Sequence, residues 1–348
     1  MPPVSNGSIE VADETGGTLH EVSPHADAER DLFRRKVNLH LRETFFPLGF
    51  PLEVATNSEI ILDAARDSWG HFQSSFDVPS LRLEVGVSHE TSGAFPNPPV
   101  CRSQDNLLAL ISDADNFAIC DLDKAFAFSW LTPVTARNKN FIRYFFLDAV
   151  AMCLLSSSYV TAIHAACVRR AEYGFLLCGD SGAGKSSLAF ACARAGWTYV
   201  SDDASYILQK TSDRIVVGNH RQIRFRPSAS SLFPELEGIG ITPRAAGKPS
   251  IEVPIESLKT DIVTSTSAKI DYVVFLNRQE SSTQELIPFA NDSARLKLLH
   301  SLYGTLEVQE LQASALDSLL GSTNIYELRY HDLHWAVSRL EALVTEKT

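Results

Sequence analysis

Eight residues, Gly179-Asp180-Ser181-Gly182-Ala183-Gly184-Lys185-Ser186, constrain this chain more than any others. They follow the apolar run Phe175-Leu176-Leu177-Cys178 and precede Leu188-Ala189-Phe190-Ala191. An apolar run, a glycine-rich turn and an alanine-rich segment in that order predict strand, loop and helix, the setting that the pattern G-x-x-x-x-G-K-[ST] requires. The glycines permit backbone angles that turn successive N–H groups inward, and a helix starting near Lys185 adds the positive end of its dipole. Such a concave set of donors suits phosphate oxygens. On this reading Gly179, Asp180, Ser181, Gly182, Ala183, Gly184, Lys185, Ser186 and Ser187 cradle the phosphates of ATP. Lys185 reaches the β- and γ-phosphates, and the Ser186 hydroxyl ligates Mg²⁺.

The flanking sequence predicts an α/β domain from residue 158 to 348. Thr161 to Val168 and Tyr173 to Cys178 read as strands, Lys185 to Ala195 as a helix, and Tyr199 to Ser201 as a strand again. Tyr206 to Gln209 and Arg214 to Gly218 predict a hairpin around the polar turn Lys210 to Asp213. Ile270 to Leu276 predicts a further strand, and Leu328 to Val344 a packing helix. Ahead of these, Asn138 to Ser157 predicts a long helix with an apolar face. Residues 29–157 read as a smaller α+β domain: helical spacing from Ala28 to Phe46, strands at Leu81–Val87, Phe117–Leu122 and Ala125–Leu131, and a loop from Ser88 to Gln104. Residues 1–28 hold too few large apolar side chains for a fold and are expected to be a flexible tail.

The kind of chemistry turns on a second group of residues. No LSGGQ-like segment points to an ABC-type ATPase, and no N-K-x-D follows the loop as a GTPase would need. Val200-Ser201-Asp202-Asp203 ends the strand after the alanine-rich helix. Adjacent side chains on an extended chain point to opposite faces, so the two carboxylates should divide two jobs. One accepts the proton of an attacking hydroxyl; the other orients Mg²⁺ or the first carboxylate. His220 to Arg226 (HRQIRFR) reads as a strand with Gln222, Arg224 and Arg226 on one face, where two guanidinium groups can clamp a phosphate. Gly238 to Pro249, carrying Arg244 and Lys248, reads as a lid or a spacer.

The stretch from Ile163-His164-Ala165 through the glycine-rich loop to Ser201-Asp202-Asp203 resembles the catalytic domain of the bacterial HPr kinase/phosphorylase family. The family carries a histidine on the strand before the loop, a G-x-S-G-x-G-K-S loop and an Asp-Asp pair after the first helix. The resemblance implies a P-loop kinase domain related to phosphoenolpyruvate carboxykinase, with a mixed central sheet. It implies Asp202 as general base, Asp203 with Ser186 at the metal, and His164 beside the γ-phosphate or the base. It also implies a homo-oligomer, since the family forms hexamers. Two departures point to an acceptor other than HPr. Ser187 replaces an acidic residue, and Glu237-Gly238-Ile239-Gly240-Ile241 lacks the arginine of the family's R-G-L-G-I-like run.

The expected function is therefore an ATP-dependent, Mg²⁺-requiring kinase acting on a hydroxyl of a protein, a peptide or a small molecule. A regulatory ATPase and a nucleotide-sensing module are the alternatives. The net charge of −11 argues against nucleic acid as the main partner. Six cysteines without a CxxC pair argue for reduced thiols and against structural zinc. The longest apolar stretch, Phe145 to Val168, is interrupted by Asp148, His164 and three serines, which favours a buried helix and strand over a membrane span. A soluble, cytoplasmic protein is expected.

Overall fold

Two sheets, each assembled around its own apolar layers, make up the body of the molecule. The computed structural model describes residues 37–345, apart from 90–93, 243–244, 246, 259, 280–282, 301 and 303. Leu39–Thr348 form one compact unit.

The first sheet contains β1 (Leu41–Phe45), β2 (Leu52–Thr56), β3 (Leu81–Val87), β4 (Val100–Gln104), β5 (Leu107–Ile111), β6 (Phe117–Asp121) and β7 (Phe126–Leu131), in the order β1-β2-β3-β7-β6-β5-β4. Helix α1 (Glu59–Trp69) crosses between the parallel strands β2 and β3 and buries Ile61, Leu62, Ala65 and Trp69. In β3 the alternation Leu81, Leu83, Val85 faces the core while Arg82 is exposed, the period of two that a half-covered strand requires. A short turn of helix, α2 (Pro133–Ala136), leads into a continuous helical run: α3 (Lys139–Ile142), a wider π-type turn at Arg143–Asp148, and α4 (Ala149–Ser158). Among the described residues this run, Lys139–Ser158, is long and apolar enough to cross a membrane. Its Phe141, Phe146, Leu147, Val150 and Leu154 lie in the core under the first sheet.

The second sheet holds β8 (Val160–Ile163), β9 (Ala165–Arg170), β10 (Tyr173–Cys178), β11 (Thr198–Ser201), β12 (Ser205–Leu208), β13 (Ile215–Gly218), β16 (Ser267–Arg278), β17 (Glu285–Pro288) and β18 (Asn324–Tyr330), while β14 (Gln222–Phe225) pairs only with β15 (Ile251–Pro254). It is mixed: β10, β16 and β18 run parallel, and β9 and β13 pair antiparallel with this set. Helices cover both faces. α5 (Lys185–Arg194) and α8 (Leu333–Thr345) pack on one side, α6 (Asn291–Leu299) and α7 (Leu306–Gly321) on the other. Along β10, Phe175 and Leu177 enter the first of these layers and Leu176 and Cys178 the second. A strand covered twice needs apolar residues at every position, which is why this run shows no alternation.

Several local expectations change. Within the Ala28–Phe46 stretch, read as helical, Leu41–Phe45 is an edge strand pairing with β2; residues 28–36 lie outside the described residues, as does the tail 1–28. The loop expected over Ser88–Gln104 ends in β4, whose five residues are all exposed. A strand that buries nothing carries no apolar period, so its composition hides it. Thr161–Val168 is two strands, broken at His164: β8 pairs with β12, while β9 pairs with β10 and β11. The C-terminal helix starts at Leu333, after β18 has used Leu328 and Tyr330 in the sheet. All six cysteines are free thiols.

Candidate functional site

The glycine loop joins β10 to α5 where parallel strands end, the edge at which α/β sheets leave an open crevice. Gly182 and Gly184 sit at φ of +100° and +96°, backbone that a side chain resists. A methyl group on Gly184 would lie 2.4 Å from the Tyr330 hydroxyl, which donates to the Ala183 carbonyl at 2.9 Å. Tyr330 thereby holds the back of the loop. No side chain caps the start of α5, whose first turn opens toward a cavity of about 300 Å³. Lys185 is buried, its Nζ donating to the loop's own carbonyls of Gly179 (2.7 Å) and Asp180 (3.2 Å). Burial holds its ammonium below the ordinary lysine range, with Asp203 acting in the opposite direction.

His164, Ser181, Gly182, Gly184, Lys185, Ser186, Ser187 and Asp203 share that cavity. Asp180 turns away from it, and the Ala183 carbonyl is occupied by Tyr330. Arg224 and Arg226 both reach the cavity, and Arg226 donates to Ser181 Oγ at 2.7 Å. Lys248 lines it from the Gly238–Pro249 segment; Arg244 of that segment lies outside the described residues.

The two aspartates occupy different worlds. Asp203 has a half-exposed side chain, bonded to Arg224 Nη1 at 2.8 Å and 3.3 Å from His164 Nδ1. The same His164 nitrogen is 2.8 Å from the Asp203 carbonyl oxygen. Asp202 is 7% exposed and faces away from the glycine-loop cavity. Its Oδ2 accepts from the Arg224 backbone N–H at 2.7 Å and its Oδ1 from the Tyr199 hydroxyl at 3.2 Å. Burial pushes its carboxyl up to about 7; the Arg224 amide pulls it down and the Asp203 charge adds to the rise. Tyr199 also donates to the Gln222 carbonyl at 2.9 Å, and burial beside Asp202 raises its phenol well above the ordinary range.

Sequence reasoning missed Tyr199, Glu252, Arg278 and Tyr330. Glu252 pairs with Arg224 Nε at 3.0 Å and with the Gln222 amide, fixing the guanidinium beside Asp203. Arg278 lines the loop cavity from the end of β16. One signal was available for it: a charged residue ending an apolar strand parallel to β10 must arrive beside the loop. Tyr199 and Tyr330 carried no such mark, because a tyrosine in a strand reads as core.

The donor set suits a polyphosphate. Backbone turns at Gly182 and Gly184, the uncapped helix start, Lys185, Arg224 and Arg226 surround one concavity. Among the described residues no group of three or more His, Cys, Asp or Glu side chains is arranged to hold a metal. That arrangement still fits Mg²⁺, which keeps several waters and takes one or two protein oxygens plus phosphate oxygens. Ser186 and Asp203 both line the cavity and offer such oxygens.

The fold and site together describe an α/β protein with a mixed sheet and a glycine-rich loop at the open end of its parallel strands. The structure of the HPr(Ser) kinase/phosphatase from Coxiella burnetii matches 53% of this chain and 98% of that chain, at 14% identity and a TM-score of 0.30. No family model matches the sequence. No curated protein matches it either.

Proposed function

We propose that this protein is an HPr-kinase-like phosphotransferase that moves the γ-phosphoryl group of ATP to a hydroxyl acceptor. One observation carries the reading: directly after the strand that follows α5 stand two carboxylates in different settings, Asp203 lining the glycine-loop cavity and Asp202 buried behind it, where burial pushes its carboxyl up to about 7. Binding alone needs no such group, whereas a general base works best with a pKa near the working pH.

The roles follow from the geometry. The glycine-loop amides and Lys185 hold the phosphates, Lys185 exchanging its two loop carbonyls for phosphate oxygens. Arg224 and Arg226 add positive charge to the same cavity, Arg226 lying against the loop at Ser181. Ser186 and Asp203 would hold Mg²⁺, which supplies neutralisation of charge on the transferring group. Asp202 takes the acceptor's proton. Tyr199 makes that proton easy to accommodate: its single O–H is shared between Asp202 and the Gln222 carbonyl. Once Asp202 is protonated, Tyr199 can donate wholly to Gln222 and receive the new O–H. His164, which lines the same cavity, steadies Asp203 through the contacts at 2.8 and 3.3 Å.

Purified protein incubated with Mg²⁺, γ-labelled ATP and cell extract tests this. Label should enter an acceptor, and Asp202→Asn should abolish the transfer while ATP still binds. Release of free labelled phosphate with no labelled acceptor would replace the kinase by an ATPase.

A further inference from the structure

A second cleft, of about 550 Å³, lies between the two sheets on the far side of the aspartate pair. Its walls come from the end of α1, the π-type turn at Arg143–Asp148, and the chain on either side of β12 and β13. Asp202 lines this cleft and not the loop cavity, whereas Asp203 and Arg224 line both. The two spaces therefore adjoin at the Asp203–Arg224 ion pair. A carboxyl that opens on this cleft, next to two residues that also line the loop cavity, points to the side from which an acceptor would come.

The chemistry of the cleft says what it takes. One end gathers Arg143, Arg221 and His71, with His220 beside them. The nearby Arg221, His220 and Arg143 add to burial in holding the His71 imidazole down to about 4, and burial with Arg221 also lowers His220. The buried His71 Nε2, in the cleft wall, has no hydrogen-bond partner. Arg143 donates to Ser68 Oγ at 2.9 Å and to the Asp67 carbonyl at 3.3 Å. It faces Asp148, whose carboxyl burial pushes up to about 6 against the pull of Arg143. Arg221 is held by Glu256 at the exposed rim. Trp69 and Met152 supply apolar wall. A buried polar group left without a partner destabilises the fold, and an anion accepting from it offsets that cost. The volume falls in the range of small-molecule sites, about 300–1,000 Å³.

We propose that this cleft is the acceptor site and that the acceptor is a small hydroxy compound bearing an anionic group. Its carboxylate or phosphate sits on Arg143 and Arg221, and its hydroxyl meets Asp202. The proposal rests on the kinase reading. In the transfer, the hydroxyl proton passes to Asp202 and the acceptor oxygen bonds to the γ-phosphorus. The bond from that phosphorus to the β–γ bridging oxygen breaks, and ADP leaves with its electron pair.

The test uses the full chain with Mg²⁺ and γ-labelled ATP. Cell extract is ultrafiltered, and the filtrate is split on an anion exchanger before incubation. Label should enter a compound from the retained, anionic fraction. Pre-treating that fraction with a phosphatase, then removing the enzyme, separates the two sources: a lost acceptor carried a phosphate, a surviving one a carboxylate. Arg221→Gln at the exposed rim and Arg143→Gln should each raise the acceptor KM by about tenfold or more, the loss of one charge-assisted contact. The KM for ATP should not move. Label confined to protein above the filter, label entering only the unretained neutral fraction, or an unchanged acceptor KM in both variants overturns the acceptor site and leaves the kinase standing. No labelled acceptor in any fraction overturns both.

Discussion

The cavity over the glycine loop and the cleft between the sheets meet at the Asp203–Arg224 ion pair, yet they are made of different material. The loop cavity is centred on backbone, with positive-φ glycines, an uncapped helix start and a lysine folded back on its own carbonyls, and cationic side chains such as Arg224, Arg226 and Arg278 join it from other elements. The cleft is side chains delivered by both sheets and by the widened helical turn. Backbone donors recognise any phosphate in the same way, so the first region is built for a constant reactant. Side chains from scattered elements can be exchanged one at a time, so the second is built for a particular one. Asp202 and Asp203 differ in the same sense, the buried one lining the cleft alone and the half-exposed one lining both spaces.

The sharpest way to break this division is at Asp202. Replacing it with asparagine keeps the shape and removes the base, so kcat should fall by roughly a hundred- to ten-thousandfold with the KM for ATP unchanged. In the unmodified protein kcat/KM should rise with pH through an apparent pKa of about 7, because only the ionised carboxylate accepts a proton. That limb should vanish from any residual activity of Asp202→Asn. A comparable rise in the KM for ATP would place Asp202 in the phosphate region and dissolve the boundary.

Lys185→Ala attacks the other side. Loss of one preorganised cation at the transferring phosphoryl costs roughly a hundred- to a thousandfold in kcat. Calorimetric titration with ATP should show the weakened binding directly, and acceptor binding in the cleft should be untouched.

These two regions were not equally legible beforehand. The loop is contiguous in sequence, and each residue has a local physical job, so Gly179 to Ser186 declared strand, loop and helix together. The doubly covered strand β10 was legible for the same reason: nothing but a continuous apolar run fits there. The Asp202–Asp203 pair was visible as a pair, but which aspartate is buried depends on Tyr199 and on the Arg224 backbone, and that depends on how β14 packs beside β11. The cleft was invisible. Trp69, Arg143 and Arg221 come together only because the first sheet's helices lie against the ends of β12 and β13, and no local pattern encodes such a meeting. The edge strand β4 was missed on similar grounds, since with every residue exposed it keeps no period to read.

A smaller effect tests whether the loop's shape is held from behind. Alanine at position 184 combines a positive φ with a methyl 2.4 Å from the Tyr330 hydroxyl. The strain should cost about 1–3 kcal/mol of stability, read in a denaturant melt, and weaken ATP in proportion. Adding Tyr330→Phe removes the clashing oxygen but not the backbone strain, so it should restore part of the loss. Full restoration would mean that the glycine is needed only for space.

A last effect follows from the buried carboxyl itself. Asp202 has its pKa raised on folding, from the ordinary carboxylate range to about 7. Between those two values the folded state holds a proton that the unfolded state has released, so stability must fall as pH rises through that window and level off above it. Asparagine at 202 carries no titrating proton, and its share of that slope should disappear. Urea melts at matched pH values would show the variant gaining on the unmodified protein as the pH climbs toward 7. A base that is kept buried at the expense of folding at working pH is what a function-bearing residue looks like. If the two slopes coincide, Asp202 titrates as an ordinary surface acid, and the difference between the two aspartates, on which the separation of loop and cleft depends, is lost.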